Sequence, residues 1–214
     1  MKKSILIIGA GEGVSQATAE KFGREGFSIG LINRDAAKTK ILVSQLELKG
    51  ITVFTATADA TSDSSLTHAI STLTTQLQGI DVLLYNAAAL KEKDIIEVDP
   101  QEFIDDFEVN VAAALRSVQL TYEQLRHNKG TVLLTGGGFA THPSYLNGTL
   151  SIGKAGIRNL AFQLNDRLAH DGIYVGTLTI TAKVSPDNET HNPALLAQKY
   201  WEMFQSKTQT EVVV

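Results

Sequence analysis

The stretch Ile5-Leu6-Ile7-Ile8-Gly9-Ala10-Gly11-Glu12-Gly13-Val14-Ser15 decides the fold. An unbroken apolar run of this length suits a strand covered on both faces, and three alternate glycines follow it directly. Glycines at a strand-to-helix turn let the backbone approach a pyrophosphate and leave helix N-terminal amides to bind it. Gly9, Gly11, Glu12, Gly13 and Val14 are therefore candidate nucleotide-binding residues. The plainer reading is a tight turn with no ligand. The position of the motif, after a strand and before an amphipathic segment, favours the nucleotide.

Outward from this turn, apolar runs alternate with stretches of helical period, the pattern of repeated strand-helix-strand units. Strands are expected near residues 3–8, 28–33, 51–57, 80–85, 130–135, 173–180 and 210–214. Helices are expected near 13–26, 35–49, 63–78, 101–127, 149–171 and 193–205. Leu66, Ile70, Leu73 and Leu77 fall on one helical face, as do Phe103, Phe107, Val111, Leu115, Val118 and Tyr122. Asp63 and Asp99-Pro100 read as helix starts, and Gly26, Gly50 and Gly79 as helix ends. The expectation is an α/β chain, a single Rossmann domain over 1–214 whose seven-stranded, doubly wound parallel sheet carries helices on both faces. Only residues 181–192 read as an extended polar loop.

Composition narrows the function. Lys and Arg number 19 against 23 Asp and Glu, so there is no basic footprint for nucleic acid. No segment approaches the roughly 20 apolar residues of a membrane span, and the start is too short in apolar residues for a signal peptide. The chain reads as mature from its first residue and membrane-free. With no Cys at all, disulfides, thiolate nucleophiles and Cys-ligated metals are excluded, and the cytoplasm is the expected setting. The five His show no metal-ligand spacing, so no metal is expected; His142, in the loop over the expected site, is the one considered for proton transfer. No G-x-S-x-G elbow is present, which disfavours a hydrolase.

In such folds the end of the second strand selects the cofactor: an acidic residue holds the ribose 2′-hydroxyl of NAD, and an Arg accommodates the 2′-phosphate of NADP. Here that place is Asn33-Arg34, so NADP(H) is expected over NAD(H). The alternative is a surface Arg paired with Asp35.

With these residues in view, nearly the whole chain resembles the short-chain dehydrogenase/reductase family, single-domain enzymes that move hydride between NAD(P) and a carbonyl or alcohol. Gly9 to Ser15 resembles its T-G-x-x-x-G-x-G turn, with Ile8 for Thr and Ser15 for the last Gly. Asp59-Ala60 resembles the pair that contacts adenine, and Asn86-Ala87-Ala88-Ala89 resembles N-N-A-G. Asn110 matches the Asn that holds a relay water, and Lys154 matches the Lys of Y-x-x-x-K.

The departures concern chemistry. Four residues before Lys154 stands Leu150 where the resemblance implies a catalytic Tyr, and Gly136-Gly137-Gly138 stands where it implies a Ser, with Thr135 adjacent. Residues four apart share a helix face, so in the family Tyr and Lys act together, the ammonium lowering the phenol pKa and gripping the nicotinamide ribose. Leu150 has no proton to give. Candidate substitutes are Tyr145 folding back from the loop, Lys154 through a water, and less readily Thr149, Ser151 or His142. Ile180-Thr181 also replaces the family's Pro-Gly. The expected function is an NADP(H)-dependent oxidoreductase acting on a small carbonyl or alcohol with a non-standard proton donor. The alternative is an inactive NADP(H)-binding sensor or partner protein. The resemblance implies a homodimer or homotetramer through helices 101–127 and 149–171.

Overall fold

The computed structural model describes residues 2–214. Seven parallel strands form one sheet: β1 (Ser4–Ile8), β2 (Ser28–Asn33), β3 (Val53–Thr57), β4 (Val82–Tyr85), β5 (Thr131–Thr135), β6 (Tyr174–Thr179) and β7 (Glu211–Val213), in the spatial order β3-β2-β1-β4-β5-β6-β7. The helices are α1 (Val14–Arg24), α2 (Ala36–Glu47), α3 (Asp63–Leu77), α4 (Pro100–Phe107), α5 (Ala113–Asn128), α6 (Gly148–Ala169) and α7 (Pro193–Ser206). Strand order reverses between β1 and β4, and a crevice at the carboxyl ends of the strands opens there.

Alternation along each strand sorts the core into two layers. Leu6 and Ile8 face one layer with Leu66, Val118 and Ile157. Ile5 and Ile7 face the other with Phe22, Leu42, Leu196 and Tyr200. Both faces are dry, which is why β1 reads as a continuous apolar run rather than an alternating one. Phe22, Phe27, Trp201 and Phe204 pack mostly edge to face, with the Phe22–Trp201 centroids 5.1 Å apart, and dock α7 on α1.

Two expectations need correction. The N-cap of α3 is Ser62, whose hydroxyl accepts from Ser65 N, and Asp63 is the first helical residue, favourably placed toward the positive end of the helix dipole. The expected single helix at 101–127 is interrupted by a π-helical turn at Glu108–Ala112 between α4 and α5. Tyr85 donates to the carbonyl of Val109 within that turn at 2.6 Å. Asp99 caps α4 with Pro100 in its first turn, as read, and Gly26, Gly50 and Gly79 all take positive φ after helix ends. Residues 181–192 form an irregular loop held by Asn188, whose side chain accepts from Thr190 N and His191 N.

Candidate nucleotide and substrate site

At the carboxyl ends of β1, β2, β3 and β4 lies a cleft of about 790 Å³. Of the expected nucleotide residues, Gly9, Asn33, Arg34, Asp59, Ala60, Asn86, Ala87 and Ala88 line it. Gly11, Glu12, Gly13 and Val14 complete the turn beyond that lining, and Lys154, also expected to bind the cofactor, is not among the lining residues. Gly9 has φ +81° and a Cβ there would overlap the backbone of Ala87, so no other residue fits. Gly11 is different: a Cβ would meet nothing within 4 Å, which leaves open space above the first turn of α1. Gly13 sits at the N-cap of α1 with φ +84° and no capping side chain; Gln16 N donates to the carbonyl of Gly11 at 3.1 Å, which leaves the amides of Val14 and Ser15 for a ligand.

The selector position is also built. The amide of Asn33 donates to the carbonyl of Ala10, tying the end of β2 to the glycine turn. Asp35 accepts from Ala37 N and Lys38 N as the cap of α2, and its ion pair, at 3.9 Å, is with Lys38. The expected alternative, Arg34 paired with Asp35, is not formed; among the described residues Arg34 has no ion-pair partner. Asp59 accepts from the backbone and hydroxyl of Thr61, and these bonds, with the Arg34 charge as a smaller cause, hold its carboxyl below the usual range.

Asn110, in the π turn, is buried, and its Oδ1 accepts from Ala89 N at 2.9 Å. Its Nδ2 is buried without a partner and faces Gly153 of α6, where a Cβ would collide with it. Lys154, half-buried, donates to the carbonyl of Thr135 at 2.8 Å, and burial pushes its ammonium down to about 8. Its aliphatic stem lies against Gly137: a Cβ there would sit 3.2 Å from Lys154 Cγ. Leu150 is buried one turn before Lys154.

Tyr145 is not brought to Lys154. The residue is 65% exposed, and its backbone carbonyl accepts from Ile95 N, which ties down the loop that carries it. His142 is exposed: its backbone N donates to the carbonyl of Gly138, and its ring meets only the hydroxyl of Thr141. Thr149 turns away from the Leu150 face and donates to Asp106 at 2.8 Å; Ser151 bonds back to Ser144.

The sequence reading missed two groups. Asp106 is a buried carboxylate in the cleft wall that also pairs with Lys91 at 2.7 Å. Ser15, Thr135 and Tyr200 form a hydrogen-bonded series with Asn86 under the cleft floor. Ser15, as a departure from the glycine pattern, and Thr135, beside the three glycines, were visible singly, but nothing joined them to Tyr200; nothing local signalled Asp106.

The sequence profile described as short chain dehydrogenase matches residues 3–191. The chain belongs to that family. Among curated relatives of this short chain dehydrogenase is a 3-oxoacyl-[acyl-carrier-protein] reductase of Staphylococcus epidermidis, 27% identical over 183 residues, covering 83% of this chain and 74% of the relative. The Staphylococcus aureus reductase of the same name is 25% identical over 183 residues, with 83% and 73% covered. Among solved structures, an actinorhodin polyketide ketoreductase variant with NADPH superposes with a TM-score of 0.92 at 16% identity, covering 100% of this chain and 95% of that one. An alcohol dehydrogenase from the archaeon Thermococcus sibiricus, complexed with 5-hydroxy-NADP, gives 0.88 at 19% identity, with 99% and 95% covered. These superpositions confirm the seven-stranded Rossmann architecture. The family is one of oxidoreductases, and among the described residues no helix is long and apolar enough to cross a membrane.

Proposed function

We propose that this short chain dehydrogenase is an NADP(H)-dependent oxidoreductase that interconverts a small carbonyl and its alcohol, with Lys154 rather than a tyrosine serving the proton. One observation carries the reading: Arg34, without an anionic partner, lines the cleft at the end of β2, and the Lys154 ammonium on α6 is held by the carbonyl of Thr135 at the end of β5. The residues fit a dinucleotide, because the space above Gly11 and the free amides after Gly13 form a cradle a side chain would fill. Arg34 suits a 2′-phosphate, and no carboxylate stands at the end of β2 to repel it. The NADP-type ligands named for two of the solved relatives support the same preference.

When bound, the nicotinamide supplies or accepts the hydride. Asp59 and Ala60 hold the adenine side, and Asn86 to Ala88 form the wall beside the nicotinamide ribose. Lys154 grips that ribose and, with its pKa near 8, holds or releases a proton at the substrate oxygen near neutral pH. The orphaned Nδ2 of Asn110, which faces Gly153 one residue before Lys154, is a donor that a relay water would satisfy. Tyr145 would serve as donor only after its loop rearranged. The substrate is a small molecule, as in the family.

A second reading, an NADP(H)-binding protein without chemistry, is favoured by Leu150 and Gly137, which leave no hydroxyl beside Lys154. Assay of the chain with NADPH against a panel of small ketones, aldehydes and quinones tests the choice. Turnover abolished by Lys154→Ala supports the oxidoreductase; no turnover despite tight NADPH binding supports the binder.

Helices α4 to α6 expose Ile104, Phe107, Leu115, Ile152 and Phe162, and we propose that these faces join copies of the chain into a homodimer or a homotetramer. Native mass spectrometry of the parent and of Phe162→Asp checks it: an oligomer that dissociates in the variant is expected, and a monomeric parent contradicts it.

A further inference from the structure

Donor and acceptor bookkeeping fixes the direction of the buried series under the cleft. Ser15 Oγ has one proton and gives it to the carbonyl of Gly9 at 2.9 Å, so it accepts from Asn86 Nδ2 at 2.8 Å. That orients the Asn86 amide, and its Oδ1 accepts from Thr135 Oγ1 at 2.8 Å. The single proton of Thr135 is then spent, so in its 2.8 Å contact with Tyr200 the phenol must donate. Burial raises the Tyr200 phenol far above its ordinary value and keeps that proton in place.

Thr135 stands between the two layers of the fold. Along β5, Val132 and Leu134 face the α3, α5 and α6 layer, whereas Leu133 and, by alternation, Thr135 face the α7 layer. Its hydroxyl thus meets Tyr200 on one side of the sheet. Its carbonyl, at the strand end, receives Lys154 coming from the other side. Lys154 makes no ion pair among the described residues, and burial alone shifts its pKa. Arg158, one turn on along α6, is bidentate to Glu211, and Asp106 on α4 is paired with Lys91, so both of these charges are already engaged. After Thr135 come three glycines, which have no side chains with which to hold that carbonyl.

From this geometry we infer that Tyr200, through Thr135, is a positioning residue for Lys154: it locks the peptide whose carbonyl fixes the ammonium in the site. The inference rests on the proposed role of Lys154 toward the dinucleotide, but its placement of Lys154 can be tested without one. A tyrosine kept only because its hydroxyl needs some partner would affect stability alone.

The full-length chain and three variants, Tyr200→Phe, Thr135→Val and Thr135→Ser, separate these roles. Labelling of Lys154 by an amine reagent across pH, read by peptide mass without nucleotide, reports its titration midpoint. Calorimetry reports the affinities of NADPH and of 2′,5′-ADP, which occupies only the adenosine end. Tyr200→Phe and Thr135→Val are each expected to cost Lys154 one net hydrogen bond and let its ammonium swing toward solvent, so that relief of burial raises its midpoint by about half a unit or more toward the ordinary lysine value. NADPH is expected to weaken about 3- to 10-fold on the same basis, with 2′,5′-ADP unchanged and Thr135→Ser restoring the parent behaviour. Unchanged Lys154 midpoints in Tyr200→Phe and Thr135→Val, or equal weakening of both nucleotides, overturn the inference. If the parent binds no NADPH, the reading of the site as a dinucleotide site fails, and the labelling result still decides whether Tyr200 places Lys154.

Discussion

At the Gly9 end of the cleft the groups that face a ligand are backbone amides, a side-chain amide bonded to the backbone and one guanidinium. Around Lys154, which is not among the residues lining that cleft, they are side chains on separate elements, with Leu150 and Gly137 contributing no polar group. The first arrangement is imposed by backbone conformation: positive φ at Gly9 and Gly13 and a close approach to Ala87 leave little choice of residue. The second is imposed by side-chain chemistry, and one substitution removes it without disturbing the fold. On the proposed function, the contrast makes nucleotide binding and proton transfer separable, and each prediction presses on one side of that division.

The largest effect is expected at Gly9. Gly9→Ala adds a Cβ that overlaps the Ala87 backbone and forces a non-glycine residue to φ +81°, so folding or nucleotide binding is lost outright. Gly11→Ala is the control, since its Cβ meets no atom. It is expected to leave the melting temperature within a few degrees of the parent while weakening NADPH. Thermal melts and titration of both variants check this, and equal melting temperatures would break the contrast.

Next in size is Leu150→Tyr. If the Lys154 end lacks only its phenol, carbonyl reduction measured by NADPH oxidation should rise by about 10²- to 10⁴-fold. A folded variant that binds NADPH yet gains nothing would show that the Lys154 end differs by more than this one group.

A smaller effect attends Lys154 itself. NADPH affinity should fall as pH rises through about 8, where the buried ammonium loses its proton, and Lys154→Met should abolish that dependence. The sign for stability is opposite. The folded pKa lies below the unfolded one, so between about 8 and 10.5 the unfolded chain holds more protons and this group makes stability rise with pH. Denaturant midpoints of parent and Lys154→Met across that range measure the difference.

Much of the fold was legible because dry strands and amphipathic helices have periods that survive in the sequence. Boundaries were less so: Ile51 is buried and apolar, yet β3 pairs only from Val53. The π turn at Glu108–Ala112 escaped notice because Phe107, Val111 and Leu115 keep a helical spacing through it. The cleft-lining positions Gly9, Asn33, Arg34, Asp59 and Asn86 were readable, since each lies at or just after a strand end at a spacing set by topology. Thr135 and Tyr200 were not, because they lie 65 residues apart on different elements and only the packing of α7 on the sheet joins them. Tyr145 looked available, but the bond from Ile95 N to its carbonyl cannot be read from a sequence.

The most direct test of the central claim, that the adenosine end is built for a 2′-phosphorylated dinucleotide independently of the chemistry at the other end, is calorimetric titration of NADPH and NADH into the parent and Arg34→Ala. The account predicts NADPH binding at least about 10-fold tighter than NADH, the worth of a charge-assisted contact, with that advantage gone in Arg34→Ala and NADH little changed. Equal affinity for the two nucleotides in the parent, or an advantage for NADPH that survives the loss of Arg34, would contradict it.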